Sequence, residues 1–385
     1  MANRDLWTNE FLRAQRQVAD PLADETIRRL VEAEGPESAR QLFDVLIRNI
    51  GLPLQQMPKS FLPFLEATRA LPDSLDEQQL WLGSQFFLDH GPKLLVFLFY
   101  RSLPLLYAHA HGAQVLVQTG RLAHDGKDMQ VFARRIAETG QFLMDVMIPG
   151  NLKPGAMGIQ SIQKVRLIHA SIRHFIPEAH WDTAQLGLPI NQQDMASTLM
   201  TFSVAITDAL EQFGIQESNE RLAAYFNTWN AIGGLMGVNK GLIPDNLEEG
   251  RWLLEKNLEL EGAPSEAGSL LTKALLDFSV EQLPNSVAKT PTALIQYLVG
   301  PEHSAQLGLL PVKGCLVRFI PGIIGSLFRV GERLEDLAGP SLVVWLDRFS
   351  RTLLGSMIGY FDEYKQRAFR IPMQLQARWL PQDLN

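Results

Sequence analysis

The stretch "QKVRLIHASIRHFI", residues 163–176, has the apolar spacing of a core helix but carries two histidines and three cations, with no acidic residue among them. At about 100° per residue, His169 falls at the centre of a stripe formed by Ile162, Val165, Ile172 and Ile176. Arg166 and Arg173 flank it, three residues before and four after. Burying a guanidinium without an anion costs several kcal/mol even after relaxation. The helix offers no Asp or Glu at i±3 or i±4. The anion must therefore come from elsewhere.

Two sources stay open at this point. One is a carboxylate on another helix, with His169 hydrogen-bonded in the core. The other is haem, whose iron would take the imidazole axially and whose propionates would meet the arginines. A second segment, "DMQVFARRIAETGQFLMDV", complements the first. There Arg135, Glu138, Thr139 and Phe142 share a helical face with Val131. That face could form the wall opposite His169 and offer hydrogen bonds to bound oxygen. Equally, Arg135 could satisfy Glu138 or Thr139 and do nothing more.

Outward from these helices, periodicity stays helical. Asp20-Pro21 opens a run over about 22–34 that Gly35-Pro36 closes, and Ser38 could cap "ARQLFDVLIRNI", which stops at Gly51. Further runs cover about 60–70, 75–90, 93–110, 128–147, 157–176, 192–213, 218–235, 248–260, 267–283, 291–298 and 340–368. Pro72, Gly91-Pro92, Pro149-Gly150, Pro177, Pro244 and Pro301 mark boundaries. Only "AQVLVQTG", 113–120, reads as a strand. Gly233 and Gly237 fall four apart on one helix face, a spacing for close helix packing. The expectation is an all-α protein, a single large helical domain over residues 1–385.

Composition narrows the function. With 46% hydrophobic and 20% charged residues, the chain is globular, with core enough for a bulky cofactor. A net charge of −7 argues against nucleic acid as partner. The lone Cys315 excludes an intramolecular disulfide and Cys-rich metal motifs, and its expected role is packing. No apolar stretch reaches the roughly 20 clean residues of a spanning helix, because "KLLVFLFYRSLPLLYA" and "CLVRFIPGIIGSLF" are each broken by Arg and Pro. The expected location is cytoplasmic, with no transmembrane segment and with peripheral membrane contact left open. His174 points away from His169 and is expected to meet a polar loop partner. His109 and His111 are expected at the surface or at helix ends.

Several longer stretches carry a resemblance: "RQVADPLADETI", "RSLPLLYAHAHGAQVLVQTGRL", "RRIAETGQFL", "KVRLIHASIRHFIP", "AQLGLPINQQDMASTLMTFSVAITDALEQFGI" and "YFNTWNAIGGLMGVNKGLIP". Through them, and through the R-x-x-H-x-x-x-R signature at Arg166, His169 and Arg173, the chain resembles the latex clearing protein family of rubber oxygenases. That family sits within the wider oxygenase group that includes the fungal MpaB protein. The resemblance implies a globin-like core with additional helices, one non-covalent haem b, and O2 as co-substrate. His169 matches the proximal iron ligand, Arg166 and Arg173 match its flanking arginines, and Arg135 and Thr139 match a distal-side pair.

Two departures matter. Where the family has a distal lysine, this chain has Glu138, a candidate base if an apolar pocket raises its pKa. The family's proposed glutamate base falls near Thr119. The rubber enzymes are secreted and this chain shows no export signal, so solid polyisoprene is not the expected substrate. The expected function is oxidative C=C cleavage of a hydrophobic, unsaturated small molecule, isoprenoid or lipid-like. Alternatives are a haem-binding sensor or carrier, and a haem-free helical interaction protein.

Overall fold

Local chemistry starts and stops the helices where the sequence places capping residues. Asp20 caps the second helix by accepting from Ala23 N, Pro21 occupies its first turn, and Gly35 ends it at φ 85°. The computed structural model describes residues 3–48, 57–71, 76–118, 129–176, 181–281 and 290–311. Its α-helices in chain order are α1 (Asn9–Ala14), α2 (Pro21–Glu34), α3 (Pro36–Arg48), α4 (Leu62–Ala67), α5 (Glu77–Phe97), α6 (Leu103–Ala108), α7 (Ala110–Gln118) and α8 (Met129–Met147). They continue with α9 (Met157–Phe175), α10 (Thr183–Leu186), α11 (Gln192–Phe202), α12 (Val204–Gln212), α13 (Asn219–Leu235), α14 (Leu247–Glu261), α15 (Glu266–Glu281) and α16 (Thr290–Gln306). Among the described residues there is no strand, only one isolated antiparallel bridge between His109 and Gly262. The protein is all-α.

The chain divides into two compact units. The first comprises Met1–Phe86, Thr139–Met200 and Ala223–Asn257. In it α2 packs on α3 and α9, burying Ala23, Ile27 and Leu30 from one face. The spacing of those three residues is i, i+4 and i+7, a helical stripe, and each large apolar chain contributes about 1.5–3 kcal/mol on burial. The second unit takes Phe87–Glu138, Thr201–Leu222 and the described chain from Leu258 onward. Its centre is aromatic: Phe278 meets Phe99 and Phe132, and Phe97 meets Phe213.

Several sequence expectations change. Residues 113–118, read as a strand, are helical in α7 and bury Ala113 and Val115 where α7 packs on α15 and α6. A packed helical face overrides the β-preference of isolated valines. Gly91-Pro92 is not a boundary, because α5 runs through it. An interior proline costs about 3 kcal/mol. Burial of Phe87, Leu94 and Phe97, about 1.5–3 kcal/mol each, outweighs that cost. The run 192–213 breaks at Ser203 into α11 and α12. The boundary read at Pro301 is present, because Gly300 leaves helical geometry at φ 81° and divides α16 just before the proline. Cys315, Thr119, Pro72, Pro177 and the run 340–368 fall outside the described residues.

Asp145 on α8 ties that helix to α9 within the first unit. It accepts from Ser161 Oγ and, at 2.7 Å, from Gln141 Nε2. Burial raises its carboxyl pKa above the usual range, opposed by the Ser161 and Gln141 hydrogen bonds and by Lys164. The folded state therefore holds this proton more tightly than the unfolded chain does. That contribution to stability is fully present below the ordinary carboxylate value and is lost as pH rises through the raised one. Denaturant unfolding across mildly acidic pH should show this loss. Asp145→Asn, which keeps both partners hydrogen-bonded, should flatten that part of the profile.

Candidate functional site

Helix α9 buries most of its circumference, including Ile159, Ile162, Arg166, Leu167, Ile168, Ala170 and Ile172. One stripe is different. Val165, His169, Arg173 and Ile176 are half-buried, although Ile168 and Ala170 beside the histidine are buried. Of the four apolar residues expected around His169, Ile162 and Ile172 are buried and Val165 and Ile176 are half-buried.

The two arginines have found protein carboxylates. Arg166, 6% exposed, donates from Nε to Asp20 Oδ2 and from Nη2 to Asp20 Oδ1, both at 2.7 Å. Its Nη1 donates to the Leu235 carbonyl at 2.8 Å, and its guanidinium lies 5.5 Å from the Phe64 ring centre. Arg173 donates from Nε to Asp24 Oδ1 at 2.7 Å and from Nη1 to the Ile190 carbonyl at 3.2 Å. Ile190 is held at φ 53°, a region a β-branched residue rarely adopts. Arg173 Nη2 is buried and has no hydrogen-bond partner among the described residues. Of the two anion sources left open by the sequence, carboxylates from another helix are the one seen.

Asp20 and Asp24 stand one turn apart at the start of α2, and the Asp20 N–H donates to Asp24 Oδ2 at 3.2 Å. Burial raises the Asp24 carboxyl pKa, Arg173 opposes that, and the neighbouring Asp20 charge adds to it. The chain after α13 completes the cluster. Gly237 sits past the helix end at φ 88°, so it does not share a helix face with Gly233, as the spacing suggested. A Cβ on Gly237 would lie 2.9 Å from both Arg166 Nη2 and Asp20 Oδ2. Gln192, fully buried, donates to the carbonyls of Ala19 at 2.7 Å and Gly237 at 2.8 Å, and accepts from Asn239 N at 2.7 Å.

On α8 the charges pair locally. Arg134 Nε donates to Glu138 Oε1 at 3.0 Å, and Arg135 Nη1 donates to Glu138 Oε2. Glu138 therefore lies between two guanidiniums, not alone in an apolar pocket as the sequence reading supposed. Burial lowers the Arg135 pKa and the Glu138 charge counteracts it. Arg135, Glu138, Thr139 and Phe142 are all half-buried, so the expected shared face is neither core nor open surface.

The other histidines that the sequence singles out have partners or positions of their own. His174 is exposed against the edge of Phe175, His111 pairs with Glu261 at 2.8 Å, and buried His109 ends α6. No group of three His, Cys, Asp or Glu side chains among the described residues could hold a metal ion. Sequence reading missed Asp20, Asp24, Arg134, Gln192 and Gly237 as site residues. Asp20 was read only as a helix start. The signal available was two carboxylates at i and i+4 on the face of α2 that also carries Ala23 and Ile27.

Residues 93–321, more than half the chain, match the family model described as ER-bound oxygenase mpaB/B'/Rubber oxygenase, catalytic domain. The rubber oxygenase of Streptomyces sp. (strain K30) is 23% identical over 322 residues, covering 82% of this chain and 76% of that protein. The solved structure of latex clearing protein LCP in the closed state shares the fold, with TM-score 0.73 and 22% identity over 89% of this chain and 91% of that one.

The Arg166–Asp20 pair makes a sharp test of packing. Gly237→Ala imposes a left-handed backbone on a residue with a Cβ, about 1–2 kcal/mol, and also presses that Cβ on a buried ion pair. We expect at least 2 kcal/mol of destabilisation by denaturant titration, about the lower end of what such defects cause. Gly234→Ala, three residues earlier, is the contrast. Gly234 is exposed and helical, and an added Cβ there meets nothing closer than 3.8 Å. It should stabilise by up to about 1 kcal/mol.

Proposed function

This chain belongs to the ER-bound oxygenase mpaB/B'/rubber oxygenase catalytic-domain family, and from that premise we infer that it is a haem-b-dependent oxygenase. Its substrate is a hydrophobic, unsaturated molecule, isoprenoid or lipid-like, and its reaction is oxidative cleavage of a C=C bond to carbonyl products. The observation that carries the reading is His169, half-buried on a helix that buries most of its circumference, bracketed by two arginines that are fixed in place.

The residues fit such a cofactor, with one change to the expected division of labour. His169 would hold the iron, and the apolar side chains of Ile162 and Ile172 on the same helix would exclude water. Arg173 keeps a buried N–H at Nη2 that could meet a propionate. Arg166 commits all three nitrogens to Asp20 and Leu235, so its part is to hold α9 rather than to bind a propionate. When bound, the haem supplies the iron redox chemistry that activates O2. Arg135 and Thr139, by their match to the family's distal pair, would donate hydrogen bonds to oxygen atoms of the co-substrate. Glu138, ion-paired to Arg134 and Arg135, would be the group that takes up a proton at Oε during turnover. We assign residues 1–385 to one catalytic domain. Its single cysteine supports a reducing compartment, the cytoplasm. No helix among the described residues is long and apolar enough to cross a membrane.

One observation favours a second reading. Internal pairing of Arg166 and Arg173 is also what a haem-free helical interaction protein would show. A visible spectrum of the purified protein separates the two, because the oxygenase should show a Soret band. Oxygen uptake with an unsaturated isoprenoid present separates the enzyme from a haem sensor or carrier. His169→Ala should lose both the Soret band and the activity, and a full haem complement in that variant would overturn the ligand assignment. Glu138→Gln should keep the Soret band but lower turnover and alter its pH profile. Full turnover at every pH would remove Glu138 from the mechanism.

A further inference from the structure

We propose that Asp20 and Asp24 are positioning residues for His169, setting the rotation of α9 about its own axis and with it the direction of the imidazole. The inference deepens the haem reading above and rests on it.

The geometry of α9 makes rotation the sensitive variable. Arg166 and Arg173 are seven residues apart and so point within about 20° of each other, while His169 lies about 40–60° to one side of that seam. Carboxylates that grip the seam therefore place the histidine on its flank. A side chain tip sits about 5–6 Å from the helix axis, so a 10° rotation moves it by about 1 Å. Displacements of that size are enough to disturb ligand geometry.

Packing of apolar faces has no bond directions, so it specifies such a rotation less sharply. The ion pairs do not tolerate it. Arg166 meets Asp20 through two parallel bonds of 2.7 Å, a bidentate geometry with a fixed plane. Leu235 O fixes the third nitrogen, and Gly237 lets the chain close directly over the pair. Arg173 repeats the device two turns on, held between Asp24 and the Ile190 carbonyl. Asp20 itself is pinned as the cap of α2, and its backbone N–H is tied to Asp24. The carboxylates thus carry the histidine's orientation back to the rigid start of α2, a role that outer partners of metal ligands commonly play.

The test uses the full chain as Asp20→Asn, Asp24→Asn and Asp24→Glu, beside wild type and His169→Ala. Each is titrated with haem b. Readouts are haem affinity, the Soret position, and the EPR spectrum of the ferric form, which reports ligand orientation. Thermal unfolding of the haem-free chains shows which variants are folded at the temperature used. Asp20→Asn and Asp24→Asn should bind haem about 10–100-fold more weakly, with an altered EPR spectrum, and Asp24→Glu should recover most of both. Should Asp20→Asn fail to fold, Asp24→Asn, whose carboxylate is one-third exposed, carries the test. Gly237→Ala, which disturbs the pair without removing a charge, should move the same signature. Wild-type affinity and spectra in a folded Asp24→Asn, with His169→Ala losing haem as expected, would overturn this proposal alone. No haem uptake by wild type would overturn the oxygenase reading and this proposal with it.

Discussion

Two guanidiniums placed on the inward side of a core helix must be neutralised, and the first unit is arranged to do that. A buried cation left alone costs several kcal/mol, and losing one partner of a buried pair costs about 3–5 kcal/mol. Asp20 answers the demand while also capping α2, so one carboxylate serves two elements. The positive φ of Gly237 lets the segment after α13 approach the pair without a clash. Gln192 then joins the chain on either side of the same point, through Ala19 and Gly237. Such a polar cluster gains little net free energy over an apolar one. What it adds is register, because its bonds have directions and apolar contacts do not.

The charges on α8 meet a different fate, and the contrast has chemical consequences. Arg134, Arg135 and Glu138 are three and four residues apart and satisfy one another along one helix. All three are half-buried. On α9 the same kind of side chain has no local partner, so it recruits a second helix and becomes part of the framework. Arginines that the sequence presents as equivalent thus divide into a fixed pair around His169 and a locally balanced pair around Glu138. In the proposed oxygenase, the first pair would set cofactor geometry and the second would hold the charge of the candidate base.

Legibility in the sequence followed the range of the forces involved. Helices whose ends are set by their own residues, such as α2 between Asp20 and Gly35, could be placed closely. Elements decided by packing could not. Residues 113–118 carry valines that read as a strand until α15 and α6 supply a surface for a helical face. Pro92 reads as a stop until the buried aromatic and aliphatic neighbours within α5 are weighed against it. Gly237 reads as a packing position on a helix, because nothing local shows that the chain has already left α13.

The sequence by itself determined that the protein is helical, that α9 presents His169 between Arg166 and Arg173, and that this face requires an anion. Periodicity and the cost of a bare buried charge suffice for that, since both act within one or two helical turns. Tertiary structure alone decided which anion answers. Asp20 lies 146 residues from Arg166 and Asp24 lies 149 from Arg173. No local pattern joins positions so far apart. They meet because α2 and α9 share an apolar interface, and only that packing brings the carboxylates within reach.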